Sequence, residues 1–437
     1  MFTGERKIFM HRIGVALVGF GTIGSGVVKI LEDDSELIMK KAGVEINLKY
    51  VIDKDWQTPR SVEIKRARKI SDYREALNDR DIDVIIELAG GTSFAYTLIE
   101  EALKAGKNVV TANKALLAER GLPLFKLARE RNLSIGFEAS VCGGVPIIRT
   151  VGDALVGDRV LSLYGIVNGT TNYILTRMFE ENMSFAAALK QAQKLGFAEA
   201  DPELDLNGFD AAHKIKILSE LAFNTCINFE DVYVEGITNI QLEDIKVASE
   251  LGYVLKLLAI AKLDPDKTVE VRVNPTLVQK GNQLSSVRNE FNAVLIESSY
   301  LGISMYYGRG AGSMPTASAV TADLVDIAKS IREPASTLKY SCFNNYPLKS
   351  IGDIETRYYV RFNVPDKPGV LSRISGIFGV NNISIASVIQ KERSKTDYVP
   401  VIMTTHMAFE KDMIRAFDEI EKLYFSKQRG VKIRIME

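Results

Sequence analysis

An unbroken apolar run, Ile-Gly-Val-Ala-Leu-Val (13–18), passes directly into Gly19-Phe-Gly21-Thr-Ile-Gly24, and helix-compatible sequence follows to about Lys41. A short run that is apolar at every position suits a strand buried on both faces of a parallel sheet. A G-x-G-x-x-G turn between such a strand and a helix has a mechanical meaning. Gly19 permits the tight turn, Gly21 lets a pyrophosphate approach the backbone, and Gly24 lets the helix pack closely on the strand. The phosphates then lie on the positive helix N-terminus. Thr22 and Ile23 sit in the same turn and join the candidate contacts. The competing reading is a glycine-rich structural turn that binds nothing.

The sequence beyond the turn repeats the strand–helix alternation. Residues 47–53, 82–90, 108–114 and 134–141 read as strands and 97–106 as an amphipathic helix closed by Gly106. This predicts an α/β, Rossmann-like dinucleotide-binding domain over 11–150. Asp53 ends the second strand, where an acidic residue hydrogen-bonds the adenosine ribose of NAD. Lys54 beside it suits a 2′-phosphate instead, so NAD or NADP stays open.

From about residue 150 the pattern becomes α+β, giving an expected substrate-binding and dimerisation domain over 151–317. A strand, loop and helix occupy 161–175. Helices are expected at Phe185–Leu195, Asp210–Ala222 and Leu242–Lys262, and strands at 269–273 and 292–299. The stretch Tyr253–Lys262 is read as buried helix. Residues 318–350 form a helix and linker, the helix expected to pack back on the first domain. Residues 356–437 follow the order βαββαβ, a ferredoxin-like arrangement.

Lys and Arg total 55 and so do Asp and Glu, which removes any long-range electrostatic case for nucleic acid or an anionic membrane. No apolar run approaches the roughly 20 residues of a membrane helix. The first residues lack the apolar core of a secretory signal. Cys142, Cys226 and Cys342 lie far apart in sequence and form no metal-binding or disulfide spacing, which fits a reducing, cytoplasmic setting. His213 sits beside Lys214 but about 100° around a helix from it, and is read as structural.

The segment Ala192–Lys214, AQKLGFAEADPELDLNGFDAAHK, concentrates Glu199, Asp205, Asp210 and Lys214. Asp210 and Lys214 share one helical face. Taken alone they form an exposed pair worth about 0.3–0.5 kcal/mol. Lys114 follows the strand 108–113, at the strand end that borders the ligand crevice in open α/β sheets. Thr92 follows Gly90-Gly91, where it can cap a helix or face a ligand.

That segment resembles the signature of homoserine dehydrogenases. The resemblance continues in TANK (111–114), EASVCGGVPII (138–148), NGTTNYI (168–174) and GRGAGSMPTASAV (308–320), and so covers about residues 11–332. It implies NAD(P)-dependent interconversion of L-homoserine and L-aspartate 4-semialdehyde, within threonine, methionine and isoleucine biosynthesis. It implies Lys214 as proton donor with Lys114 as a second proton-handling group. Physically, a partly desolvated lysine next to a second cation has a lowered pKa suited to that role, and one of the two, or a water between them, supplies the proton. Glu199 and Asp210 bind substrate, with Asp205 a further polar candidate. Gly196 lies at the cofactor or substrate pocket, Thr92 and Lys114 near the cofactor, and Gly312 approaches the nicotinamide. Glu138, Val141, Gly143 and Val145 match a monovalent-cation loop suited to sodium. Cys142 stands there where a small alanine is expected.

The C-terminal segment around Asp366-Lys-Pro-Gly369-Val370-Leu371 resembles the first loop of ACT domains. This implies an amino-acid effector bound near Asp366, Gly369 and Val370, threonine being the first candidate, and a homodimer or homotetramer. Two alternatives stay open. One is another amino-acid-pathway dehydrogenase, such as an aspartate-semialdehyde dehydrogenase, for which Cys142 would be the nucleophile. The other is a non-enzymatic amino-acid sensor.

Overall fold

The computed structural model describes residues 12–60, 62–332, 342–390, 398–423 and 430–436. Its first sheet contains β1 (Arg12–Val18), β2 (Glu45–Ile52), β3 (Arg68–Ile70), β4 (Val84–Glu87), β5 (Asn108–Thr111) and β6 (Ile135–Gly136), in the spatial order β3-β2-β1-β4-β5-β6. Every pairing is parallel. Alternate residues of β1 feed two different cores. Val15 and Leu17 join one cluster; Ala16 and Val18 join the other. Both faces are covered by helices, which is why the run is apolar throughout. The expectation of an α/β, Rossmann-like parallel sheet is borne out.

Local departures have local causes. The helical stretch to Lys41 is two helices, Thr22–Asp33 and Ser35–Ala42, broken at Asp34. The expected strand 134–141 stops at Gly136, and a 3-10 turn covers Glu138–Ser140. There the Glu138 N–H donates to Asp323 Oδ2 at 2.8 Å instead of extending a ladder.

The second sheet is mixed. It comprises β7 (Val160–Ile166), β8 (Tyr233–Val234), β9 (Tyr253–Leu263), β10 (Val269–Gln279), β11 (Phe291–Ser298), β12 (Gly302–Arg309), β13 (Glu355–Pro365), β14 (Ile385–Gln390), β15 (Tyr398–Thr405), β16 (Ala408–Phe409) and β17 (Val431–Ile435). The main path runs β12-β11-β7-β9-β10-β17-β13-β15-β14. One expectation fails here. Helix Leu242–Glu250 ends before Gly252, which adopts φ +87°, and Tyr253–Leu263 is strand β9, not helix. Leu255, Leu257, Ala259 and Ala261 pack into the main core, while Leu258 and Ile260 join a second cluster on the opposite face. A strand buried on both faces has the same continuous apolar run as a buried helix, so periodicity does not separate them.

Strands β13, β14, β15 and β17 with helices Val370–Val380 and Glu410–Glu421 give the βαββαβ order, in spatial order β17-β13-β15-β14. The ferredoxin-like expectation is borne out. Strand β17 also pairs in parallel with β10, through Thr276–Arg434 and Leu277–Ile435. The C-terminal sheet therefore continues that of the middle region. Residues 333–341 of the expected helix and linker, and all of 391–397, lie outside the described residues. Helix Ser313–Arg332 packs on Thr22–Asp33, so closely that a Cβ on Gly26 would lie 2.9 Å from the Ala317 methyl. No helix among the described residues is long and apolar enough to cross a membrane.

Candidate active site

A groove of about 830 Å³ runs along the C-terminal ends of β1, β2 and β4, lined by Gly19, Gly21, Asp53, Lys54, Arg74 and Gly90 among others. A Cβ on Gly24 would stand 2.0 Å from the Gly19 carbonyl oxygen, so helix Thr22–Asp33 could not seat against the loop with any larger residue. By contrast, a Cβ on Gly21 would meet nothing within 4 Å and would fill the mouth of the groove. The loop is therefore a cradle shaped for a dinucleotide pyrophosphate. Asp53 shapes that cradle directly. Its Oδ2 accepts from Phe20 N at 2.7 Å and its Oδ1 from Asp55 N at 2.8 Å. Lys54 is exposed, with Nζ 5.4 Å from the Phe94 ring centroid. Thr22 presents its carbonyl to the Ser313 hydroxyl at 2.6 Å. Thr92 occupies the N-cap position of helix Ser93–Lys104 but makes no side-chain capping bond.

Beyond the loop, a cavity of about 500 Å³ brings together Ile23, Lys114, Gly196, Glu199, Asp205, Asp210, Lys214 and Gly312. Asp210 and Lys214 stand on helix Phe209–Phe223, launched by Gly208 at φ +87°. They are buried, not the exposed pair that spacing alone suggests. Asp210 Oδ2 accepts from Lys214 Nζ (2.7 Å) and Asn168 Nδ2 (2.8 Å), while its Oδ1 faces Lys114 Nζ at 3.1 Å. Lys214 also donates to the Val167 carbonyl at 2.7 Å. Two of its three N–H groups are thus committed to protein and one is left for the cavity.

The electrostatics follow from this clasp. Burial alone would raise the Asp210 carboxyl, but Lys214, Lys114 and Asn168 outweigh it and hold the pKa well below the usual range. Burial would likewise lower Lys214, yet Asp210 overrides it and the ammonium is stabilised above its ordinary value. The lowered pKa that desolvation and a second cation suggest is therefore not found at Lys214, because the Asp210 carboxylate bonds its ammonium at 2.7 Å. Asp205 is held by Asn168 Nδ2 at 2.7 Å and the Thr170 hydroxyl at 2.8 Å. Glu199 is exposed on the rim.

Sequence reasoning passed over three of the polar groups here. Asn168 caps helix Gly169–Glu181 and bridges Asp205 to Asp210. Thr170 orients Asp205. Asn292 is 1% exposed and donates to the same Val167 carbonyl that Lys214 uses, at 3.0 Å. Asn168 and Thr170 fall within NGTTNYI (168–174), a segment of the family resemblance, and Asn168 is also placed to cap the helix that follows.

Cys142 lies in the wall of the cavity, fully buried, and desolvation pushes its thiol up to about 11. It is a neutral thiol at physiological pH, without the thiolate that acyl-transfer chemistry needs. His213 faces Glu119 at 3.4 Å and stacks on Phe229. Among the described residues, no group of three or more His, Cys, Asp and Glu is placed to hold a metal ion. Glu138 is buried, its two carboxylate oxygens accepting from Ile148 N and Arg149 N at 2.9 Å each. Neighbouring Cys142 and Gly143 take positive φ, so the 141–145 loop is tightly wound beside it. In the C-terminal module, Gly369 adopts φ +88° at the start of helix Val370–Val380, with Val370 buried and Asp366 half-buried.

Comparisons with known proteins bear on this geometry. Family models described as "Homoserine dehydrogenase", "Homoserine dehydrogenase, NAD binding domain" and "ACT domain" match residues 146–325, 19–138 and 358–423. A homoserine dehydrogenase from Helicobacter pylori is 41% identical over 412 residues, covering 94% of this chain and 96% of its own. The Bacillus subtilis enzyme is 41% identical over 405 residues, covering 92% and 93%. The solved homoserine dehydrogenase of Thiobacillus denitrificans superposes with a TM-score of 0.92 at 37% identity, covering 98% of this chain and 99% of that one. A hyperthermophilic archaeal homoserine dehydrogenase in complex with NADPH gives a TM-score of 0.61 at 25% identity, covering 75% and 100%.

Proposed function

The chain belongs to the homoserine dehydrogenase family and is an oxidoreductase, and from this premise we propose how its residues divide the work. The buried Asp210–Lys214 pair, with partly exposed Lys114 against it, carries the reading. The nicotinamide cofactor, when bound, supplies or accepts the hydride at the carbon that is aldehyde in one substrate and alcohol in the other. Lys214 is the proton donor and acceptor at the substrate oxygen, using its one uncommitted N–H. Asp210 keeps it charged and fixed, so charge developing on that oxygen meets an ammonium that need not reorganise. Lys114, from the partly exposed side, adds a second positive group. Glu199, Asp210 and Asp205 are the substrate-binding carboxylates, with Asn168 and Thr170 holding Asp205 in place. Cofactor contacts are Gly19, Gly21, Thr22, Ile23, Gly24, Asp53, Thr92, Lys114, Gly196 and Gly312.

The direct test is oxidation of L-homoserine with NAD and with NADP, followed as reduced nicotinamide. Absence of turnover with both, in both directions, would sink the reading. Because Asp53 already serves the glycine loop, we expect Lys54 to meet a 2′-phosphate. The Lys54→Ala variant should raise KM for NADP by about 10-fold or more, the worth of one charge-assisted hydrogen bond, and leave KM for NAD nearly unchanged. Equal effects on both cofactors would count against Lys54.

Sodium is proposed at the Glu138 carboxylate and the carbonyls of Val141, Gly143 and Val145. These are hard oxygen donors of the kind such ions take. The C-terminal module is proposed to bind threonine near Asp366, Gly369 and Val370 and to inhibit. Turnover measured in sodium against choline salts, with and without threonine, checks both; indifference to either agent removes that assignment. On this reading the chain divides into 11–150, 151–317, 318–350 and 356–437. It works as a cytoplasmic homodimer or homotetramer in threonine, methionine and isoleucine biosynthesis.

A further inference from the structure

Four lysines of the described chain are buried: Lys107, Lys214, Lys216 and Lys256. Lys214 and Lys216 each bond a carboxylate at 2.7 Å, and Asp83, Asp79 and Asp81 favour the charge on Lys107. Lys256, on β9 and 2% exposed, is different. Its ammonium donates to Asn172 Oδ1 at 3.0 Å and to the Val287 carbonyl, both neutral. Its strongest charged neighbour is another cation, Arg288, and Glu180 only partly offsets it. Ionising a buried amine without a counter-ion is costly, and an anion placed beside it would offset that cost.

Lys256 lines a pocket of about 320 Å³ that shares no residue with the substrate cavity. Lys280, Arg288, Ser285, Ser286 and Thr176 also face it, against the single carboxylate of Glu180. Arg288 pairs with Glu180 at 2.9 Å and Lys280 Nζ donates to the Ser249 carbonyl at 2.9 Å. The lining carries three positive groups and one negative. With two of its N–H groups bonded to protein, the Lys256 ammonium keeps one more to offer.

We propose that this pocket is a binding site for a small oxyanion, a phosphate or a carboxylate, held by Lys256 with Lys280 and Arg288. The site is tied to the active site by one amide. Asn172 accepts from Lys256 and donates to the carbonyls of Asn289 (2.9 Å) and Phe291 (3.2 Å), the residues leading into Asn292. An anion that orders Lys256 thereby tightens the segment carrying Glu290 and Asn292, both of which line the substrate cavity.

The test uses the full chain with saturating NAD or NADP, so that the glycine loop is already covered. Inorganic phosphate, acetate and chloride are titrated at constant ionic strength while the melting temperature is followed. The wild type should show a saturable rise of about 2 °C or more with phosphate or acetate and none with chloride. Whichever of the two acts more tightly identifies the anion class. At pH 8 binding should take up protons, because burial and Arg288 push the Lys256 pKa down to about 7 while Glu180 only partly opposes them. Calorimetry in buffers of different ionisation heat reads that uptake. The Lys256→Met variant should lose both effects; if it does not fold, the double variant Lys280→Ala/Arg288→Ala should weaken the response at least tenfold. No saturable shift in the wild type, or an equal shift in the variants, overturns the site.

Discussion

Replacing Lys214 with methionine is expected to lower kcat by about 1,000-fold while leaving the dissociation constant for the cofactor within about twofold, since the change removes both a proton donor and a preorganised charge at the reacting oxygen. The long apolar side chain keeps most of the volume. It does not keep the charge, and Asp210 is then left buried with only Lys114 at 3.1 Å and Asn168 at 2.8 Å. Breaking a buried pair in this way costs about 3–5 kcal/mol. Stability and turnover will therefore fall together, and the single variant cannot separate catalysis from folding. The double variant Lys214→Met/Asp210→Asn does so, because the neutral amide no longer needs the ammonium. Its melting temperature should return towards that of the wild type while kcat stays low. If kcat recovers with stability, Lys214 acts only as scaffolding. The direction of the Lys214 pKa fits the donor role, since the group enters the reduction step charged.

The parts of this arrangement that were legible in the sequence share one property, a short-range pattern. β1 and its glycine loop announce themselves because both faces of the strand are buried and the turn tolerates few side chains. Asp210 and Lys214 fall within one long motif and one helical face. The failures depend on partners far away in the chain. Tyr253–Leu263 is a strand because Gly252 ends the helix before it and because β7 and β10 flank it, Gly165 of β7 pairing with Ala259 and Ser162 with Lys262. Asn292 reaches the site through the carbonyl of Val167, 125 positions earlier. Lys214 keeps a raised pKa through the balance between burial and a carboxylate, which spacing alone does not give. The clearest example is Asp53. Its place at a strand end was readable, but its bond to Phe20 N, by which it also holds the glycine loop, was not.

The other large effect is expected at the seam between the C-terminal module and the rest of the chain. Arg434 on β17 is 1% exposed. It bonds Glu410 through both Nε and Nη2 at 2.8 Å, and reaches across to Glu235 at 2.8 Å and the Tyr233 hydroxyl at 3.2 Å. The Arg434→Met variant should lose about 3–5 kcal/mol, because Glu410 stays buried with Lys432 as its remaining cation. Acid sensitivity gives an independent reading. Burial would raise Glu410, but Arg434 and Lys432 hold it down to about 2. Its contribution is therefore fully present above the unfolded value near 4.5 and is lost as pH falls towards 2. In the variant that acid-dependent loss should shrink, since less of the depression is left to lose. The consequence reaches the substrate. Glu235 precedes Gly236, where a Cβ would stand 2.1 Å from the Leu206 carbonyl oxygen, and Ile237 N donates to that same oxygen at 2.9 Å. Leu206 follows Asp205. Loosening Arg434 should thus raise KM for homoserine by more than KM for the cofactor, and restoring a cation with Arg434→Lys should recover part of both losses. A variant that denatures at the wild-type midpoint, or whose two KM values move together, would show that this seam only joins the domains and does not position Asp205.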